Sequence, residues 1–298
     1  MRFTVVAVGL TVIFLAAAQL SAQASRTFVS GVGDDANPCS RTAPCLTFNG
    51  AIVKTAAGGE INVLDPGDFG AVTIPRAMTI DATGVEAGIL VTTGNAITVA
   101  AGATDRVFLR GLDFVGFGTG AFGIEFSSGL MLTVENCRIS GFQQRGISIE
   151  SSTANAAAFI SNTVVHDQLN NGIVVDPPSD TNSVTLDHVQ VFNSAAIGLY
   201  LNPGSTAYVR DSEFSHNAGN GVYAFGTAFL FFDSNDISSN GTGLSLLTGA
   251  SARLSKNNVT GNTVGFNTAG GVVRSFGNNQ TLGNGDSAQP SMVLLGQR

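Results

Sequence analysis

From Leu132 to Phe266 the apolar residues come in short alternating triplets, and the triplets line up in columns. One column holds Ile139, Val165, Val191, Phe214, Ile237 and Val259, at spacings of 26, 26, 23, 23 and 22 residues. Five residues before these anchors stand Val134, Ile160, Leu186, Val209, Phe232 and Leu254; seven before stand Leu132, Ala158, Val184, Ala207, Leu230 and Ala252. Six or seven residues after each anchor a glycine precedes an apolar residue: Gly146-Ile147, Gly172-Ile173, Gly198-Leu199, Gly221-Val222, Gly243-Leu244 and Gly265-Phe266. Alternation with period two means strands with one buried face. A unit of about 22 residues cannot bury that face by itself, so the units must stack. The pattern therefore predicts coils of a parallel β-helix rising about 4.8 Å per coil.

Two polar columns fit inward turns of such coils. Cys137, Thr163, Val189, Ser212, Asn235 and Asn257 lie two residues before the anchors, and Asn217, Asn240 and Asn262 lie three after. Stacked amides and hydroxyls satisfy turn backbone groups between coils, so both columns are read as hydrogen-bonding ladders rather than ligand sites. The same texture continues upstream in I-N-V at 61–63, V-T-I at 72–74, M-T-I at 78–80, I-L-V at 89–91, I-T-V at 97–99, V-F-L at 107–109 and I-E-F after Gly123. The solenoid is expected over 60–276 as one domain. The segment 277–298 is expected to be a C-terminal cap or tail.

This coil pattern, with the lead-in C-L-T-F-N-G-A-I-V-K-T-A-A-G-G-E-I-N-V-L-D-P-G-D-F-G at 45–70, resembles the right-handed parallel β-helix proteins of the pectin-lyase-like superfamily. It is most similar to secreted bacterial members that carry only a right-handed β-helix region. The resemblance implies an all-β right-handed solenoid with a short N-terminal capping helix. Thr47 to Ala57 would form that helix with Thr47 as its N-cap and Gly58-Gly59 as its stop, followed by a strand over Ile61 to Leu64 and a turn at Pro66-Gly67. Residues 25–59 would then be the N-terminal cap. The resemblance specifies fold far more than activity, because one solenoid serves enzymes, phage tailspikes and surface proteins.

Charge and the first residues narrow the setting. Arg2 precedes an apolar run from Phe3 to Leu20, and Ala22-Gln23-Ala24 supplies a small-x-small site, the layout of a secretory leader over 1–24. A secreted protein (extracellular, periplasmic or at the cell surface) is expected, with no membrane span in the mature chain. Without Arg2, 13 basic residues face 21 acidic ones, a formal charge of −8. No basic stripe is present, so nucleic acid is not expected as a partner; the resemblance to the pectin-lyase-like superfamily implies a polysaccharide.

Candidate chemistry lies four residues before the anchors, where Asp187, Arg210 and Asp233 occupy successive coils, with Glu135 two coils earlier and Asp211 beside Arg210. The superfamily resemblance implies lyases with an Arg or Lys base near acidic Ca²⁺ ligands, which would cast Arg210 as base and Asp187 and Asp233 as ligands of Ca²⁺, the one cofactor considered. The alternative is a carboxylate–guanidinium–carboxylate ladder in which Arg210 relieves repulsion between stacked acids. His166, His188 and His216 sit at different offsets on different coils, and a joint zinc site is not expected. The glycine run 116–123 reads as a wide turn, since no helix follows it. Asp176-Pro177-Pro178 and Asp180 read as an outward loop able to line a glycan groove.

Three cysteines remain. Cys137 falls in an inward column and is expected to be a buried, unreactive thiol. Cys39 and Cys45 bracket a polar loop ahead of the helix, without redox C-x-x-C spacing, and are read as a disulfide; Asp34 and Asp35 are read as turn residues. Three functions stay open: a non-catalytic solenoid that binds or organises glycan, a polysaccharide lyase or related enzyme, and a structural or adhesive assembly.

Overall fold

The columns read along the chain are hydrogen-bonded neighbours in space. Ile139 faces Val165, which faces Val191, and the series continues in register through Phe214, Ile237 and Val259. A computed structural model describes residues 23–178, 181–286 and 292–296. The expected leader lies outside the described residues except for Gln23 and Ala24, and Asp180 lies outside them too. Within the described residues three parallel sheets run the length of the molecule, one of 12 strands and two of 9. The wide sheet runs from Ala24–Val29 to Met292–Leu294, the anchor sheet from Gly67–Asp68 to Asn258–Thr260, and the third sheet from Val72–Ile74 to Val264–Asn267. Each coil visits them in that order, and its inward side chains form a single continuous core. No helix among the described residues is long and apolar enough to cross a membrane.

Tight turns hold the register. After each of the six wide-sheet strands from Met131–Glu135 to Ser251–Ser255 one residue adopts the left-handed conformation: Asn136, Asn162, His188, Asp211, Ser234 and Lys256, with φ between 47° and 60°. Non-glycine residues pay a steric penalty there, least for short polar side chains that bond locally. The next residue points inward, and where it is Thr163, Ser212, Asn235 or Asn257 its side-chain oxygen accepts the backbone N–H of the preceding coil. Asn257 Oδ1 accepts from Asn235 N at 3.0 Å, Asn235 Oδ1 from Ser212 N at 3.0 Å, and Ser212 Oγ from Val189 N at 3.0 Å. The second ladder repeats the device, with Asn240 Oδ1 accepting from both Asn217 N at 2.9 Å and Asn217 Nδ2 at 3.0 Å. This ladder also explains the glycines. A Cβ on Gly221 would stand 2.7 Å from Asn240 Nδ2, and one on Gly243 would stand 2.8 Å from Asn262 Nδ2.

Both ends differ in detail from the sequence reading. The helix is Phe48–Ile52 rather than a run to Ala57, because the chain turns at Lys54 and Thr55–Val63 already forms a wide-sheet strand containing Gly58 and Gly59. Thr47 is the N-cap, its hydroxyl accepting from Gly50 N at 2.9 Å. Asp35 clamps this start by accepting from Leu46 N, Thr47 N and the Thr47 hydroxyl at 2.9, 2.9 and 2.7 Å. Asp34 is a turn residue, accepting from Ala36 N at 2.9 Å. Cys39 and Cys45 are joined by a disulfide with a Cα–Cα distance of 4.7 Å. At the other end the ladders continue past residue 276: Asn279 Oδ1 accepts from Asn257 N at 2.8 Å and Asn284 Oδ1 from Asn262 N at 3.1 Å.

Asn240 lies in the middle of its ladder, with its amide also donating to Phe214 O at 2.9 Å. Replacing it by alanine strands a buried N–H on one side and a buried carbonyl on the other. The Asn240→Ala variant should lose about 3 kcal/mol of stability in urea denaturation. A loss below about 1 kcal/mol would show that the ladder is incidental to register.

Candidate functional site

The row four residues before the anchors ends each wide-sheet strand, and its side chains point outward. In register it runs Asp81, Arg110, Glu135, Ser161, Asp187, Arg210, Asp233 and Ser255. Two acid–arginine–acid triplets result. In the first, Arg110 lies 3.8 Å from Asp81 and 2.9 Å from Glu135, so both acids are paired. In the second, Arg210 Nη2 donates to Asp187 Oδ2, and Asp233 has no ion pair among the described residues. The stacked ladder foreseen from the sequence is thus half formed at Arg210.

Protonation follows from those contacts. The bond from Arg210, then the bond from His188, hold the Asp187 carboxyl below the usual carboxylate range against the opposing effect of burial. Asp187 in turn raises the Arg210 guanidinium further above its ordinary value. A base must shed its proton, and Arg210 is held in the form that keeps it. Asp187 and Asp233 flank Arg210 and are two coils apart, roughly 10 Å. One Ca²⁺ needs oxygens at about 2.3–2.6 Å, so this pair does not fit a single ion.

Beside this row lies a groove of about 460 Å³, lined among others by Tyr208, Phe231, Arg210, Asp233, Arg253 and Lys256. Tyr208 and Phe231 are in-register neighbours, their rings stacked 4.8 Å apart at 7°. The Arg253 guanidinium sits 5.3 Å from the Phe231 ring and 5.4 Å from the Phe229 ring. On the opposite side of Tyr208 the register partner is Thr185, too short to cover a ring, and Tyr208 is 46% exposed. A smaller hollow of about 200 Å³ opens there among Asn155, Thr181, Asn182, Ser183 and Thr206. Three cations and one carboxylate therefore line the groove of a protein whose formal charge is −7. Tyr208, Phe231 and Arg253 lie six residues before their anchors, between the two buried columns. Strand alternation assigns that offset to the outside, and this is the signal by which the row could have been found.

A second cluster lies on the third sheet and was also missed. Arg145 bonds Ser148 Oγ at 2.7 Å and Glu150 at 3.1 Å, and lies 3.5 Å from Asp176. Glu125 accepts from Asn95 Nδ2 at 2.6 Å and Thr98 Oγ1 at 3.1 Å. Burial chiefly raises the Glu150 carboxyl above the usual glutamate range; Arg145 opposes it, while a hydrogen bond with Glu125 and the charges of Glu125 and Asp176 add to it. Burial, then Tyr223 and Asp176, raise the Tyr200 phenol against the pull of Arg145. Glu150 and Asp176 each stand four residues after their glycine, a column that continues the Gly-apolar pairs.

The histidines do not meet one another. His166 is 7% exposed, stacks on Phe192 at 5.3 Å, and bonds Asp167 through Nδ1 at 2.7 Å. His188 and His216 occupy left-handed turns, on different turn columns. His188 is nonetheless beside Asp187, to which its Nδ1 bonds at 2.7 Å, and one coil from Asp211. Cys137 is buried and unpaired by disulfide, its thiol pushed up to about 12 by burial.

The model of the family described as "Right handed beta helix region" matches residues 171–288. A pectate lyase structure superposes with a TM-score of 0.58 at 14% identity, over 89% of this chain and 81% of its own. An alginate lyase from Paenibacillus sp. gives 0.51 at 14% identity, over 91% of this chain and 100% of its own. This chain is a right-handed parallel β-helix. The enzymatically active domain of tailspike protein 2 from bacteriophage CBA120 is similar at a TM-score of 0.56 and 14% identity, covering 78% of this chain; the β-helix spans only 43% of that domain. No curated protein matches the sequence.

Within this β-helix, the raised Glu150 carboxyl makes folding sensitive to pH. Its folded value lies above its unfolded one, so its contribution is full below the ordinary glutamate range and is lost as pH rises through the folded value. In urea titrations from about pH 4 to pH 7, Glu150→Gln should gain midpoint relative to the parent as pH rises. A difference that stays flat with pH would contradict the assignment.

Proposed function

We propose that the protein is an exported β-helix that binds an acidic polysaccharide along the outer face of its wide sheet, without needing to cleave it. The observation that carries this reading is the cationic, aromatic groove: Arg210, Arg253 and Lys256 beside Tyr208 and Phe231 on an acidic protein. Guanidinium and ammonium groups pair with uronate carboxylates, the open face of Tyr208 suits the apolar face of a sugar ring, and the neighbouring hydroxyls and amides suit its hydroxyls. Coils rise about 4.8 Å each, close to the length of one sugar residue, so successive side chains can meet successive residues of a polymer. Two of the similar structures are lyases named for pectate and alginate, which supports a glycan of this class. The leader-like start and the disulfide support export, and the Phe48–Ile52 helix with its disulfide loop is read as protection for the first coil.

A lyase mechanism with Arg210 as base is not favoured, because Asp187 keeps Arg210 protonated. One observation favours catalysis elsewhere: the protonated-prone Glu150 beside Glu125 on the third sheet could act as an acid.

A panel of acidic and neutral polysaccharides in affinity electrophoresis tests both readings. Retention is expected for acidic polymers only, falling with added salt, and weakening roughly tenfold in Tyr208→Ala and in Arg253→Gln. Equal retention of neutral polymers, or variants that bind like the parent, would sink the groove as the site. Release of new reducing ends that stops in Glu150→Gln would instead make the protein an enzyme.

A further inference from the structure

The left-handed turn after each wide-sheet strand places the same side-chain direction one coil above the next, and here that column carries His188 followed by Asp211. Asp187, the last residue of its strand, sits against both. One ligand atom from each of Asp187, His188 and Asp211 lies within 4.8 Å of the other two. We propose that these three side chains form a site for one transition-metal dication of the zinc class.

Ligand atoms around a tetrahedral ion at about 2.0–2.2 Å stand roughly 3.4 Å apart. The widest separation, up to 4.8 Å, must therefore close by up to about 1.4 Å while the His188–Asp187 pair opens slightly, and side-chain rotation supplies both, since His188 is 62% exposed and Asp211 is also exposed. His188 Nδ1 and Asp187 Oδ1 already stand 2.7 Å apart, and with the ring proton on Nε2 both atoms are free to ligate. Arg210 holds the other Asp187 oxygen and so orients the carboxylate for the ion, in the manner of outer-shell partners of metal ligands. The Asp211 carboxylate accepts no hydrogen bond among the described residues, and its oxygens are free to ligate. His188 and Asp211 open onto a hollow of about 580 Å³ whose wall also carries Glu213 and Asp236, in register on adjacent coils, which makes the hollow attractive to a cation. An imidazole with two carboxylates matches zinc and its neighbours; calcium takes six to eight oxygens and gains nothing from a ring nitrogen. None of the three ligands lines the groove assigned to glycan, although Arg210, which holds Asp187, belongs to it.

Isothermal titration of the full chain with ZnCl₂ tests the site, with Co²⁺ absorption as a second readout. Saturable binding of one equivalent is expected, weakened about tenfold or more in His188→Asn, whose replacement tolerates the left-handed turn, and in Asp211→Asn. Co²⁺ should show ligand-field bands, and Zn²⁺ should shift the ring signals of one histidine of the three in nuclear magnetic resonance spectra of the unmutated protein. That last measurement decides the matter if a variant fails to fold. No saturable binding, binding unchanged in His188→Asn, unshifted histidine rings, or Ca²⁺ competing on equal terms would each overturn the proposal.

Discussion

One hydrogen bond, repeated, organises this molecule: a side-chain oxygen in a turn accepts the backbone N–H of the same turn one coil earlier. In the second half of the chain the bond recurs through Ser212, Asn235, Asn257 and Asn279, and again through Asn217, Asn240, Asn262 and Asn284. Because the donor is backbone and the acceptor is fixed by a two-bond amide, the bond forms only when consecutive coils have equal offsets. A one-residue slip would break every rung and turn each buried column outward. Apolar burial stabilises the stack, but it tolerates exchange among Val, Ile, Leu and Phe and does not choose the register by itself. The amides make that choice, and the glycines of the third sheet are the space they require.

Fixed register has a consequence on the outside. Any side chain placed at one offset meets its like one inter-strand spacing away, which turns single residues into rows. Rows of acids repel, and the two triplets Asp81–Arg110–Glu135 and Asp187–Arg210–Asp233 set an arginine between them. The first triplet is fully paired and reads as architecture. The second leaves Asp233 open to a groove that also holds Arg253 and Lys256, which separates a fully paired row from one that leaves a charge open. The same rule stacks Tyr208 on Phe231 and brings His188 toward Asp211.

Much of this was legible in the chain because the period is short and the buried columns are apolar. Ile139 to Val259, the two columns before it and the Gly-apolar pairs were each found at their true register, and the ladder role of Asn217, Asn240 and Asn262 followed from their spacing. The helix was read too long because Gly58-Gly59 looks like a stop signal, while Thr55, whose hydroxyl bonds both Thr27 and Ala51 O, has already committed the chain to a strand. The last rungs, Asn279 and Asn284, went unread because they lie among turn residues with few apolar neighbours. Outward rows were harder to see. Arg210 drew attention as a charge between charges, whereas Tyr208, Phe231 and Arg253 share no residue type and become one feature only after the offset is known. His188 was set aside by comparison with other histidines, when its hydrogen-bond partner is Asp187 and Asp211 lies one coil away.

The central claim is that the cationic face of the wide sheet meets the glycan. Hydrogen–deuterium exchange with and without an acidic oligosaccharide addresses it directly. Protection is predicted in Ser205–Arg210, Phe229–Asp233 and Ser251–Ser255, with no change around Glu125 and Glu150. Protection confined to the third sheet at Glu125, Arg145 and Glu150, with the wide sheet unaltered, would contradict the account.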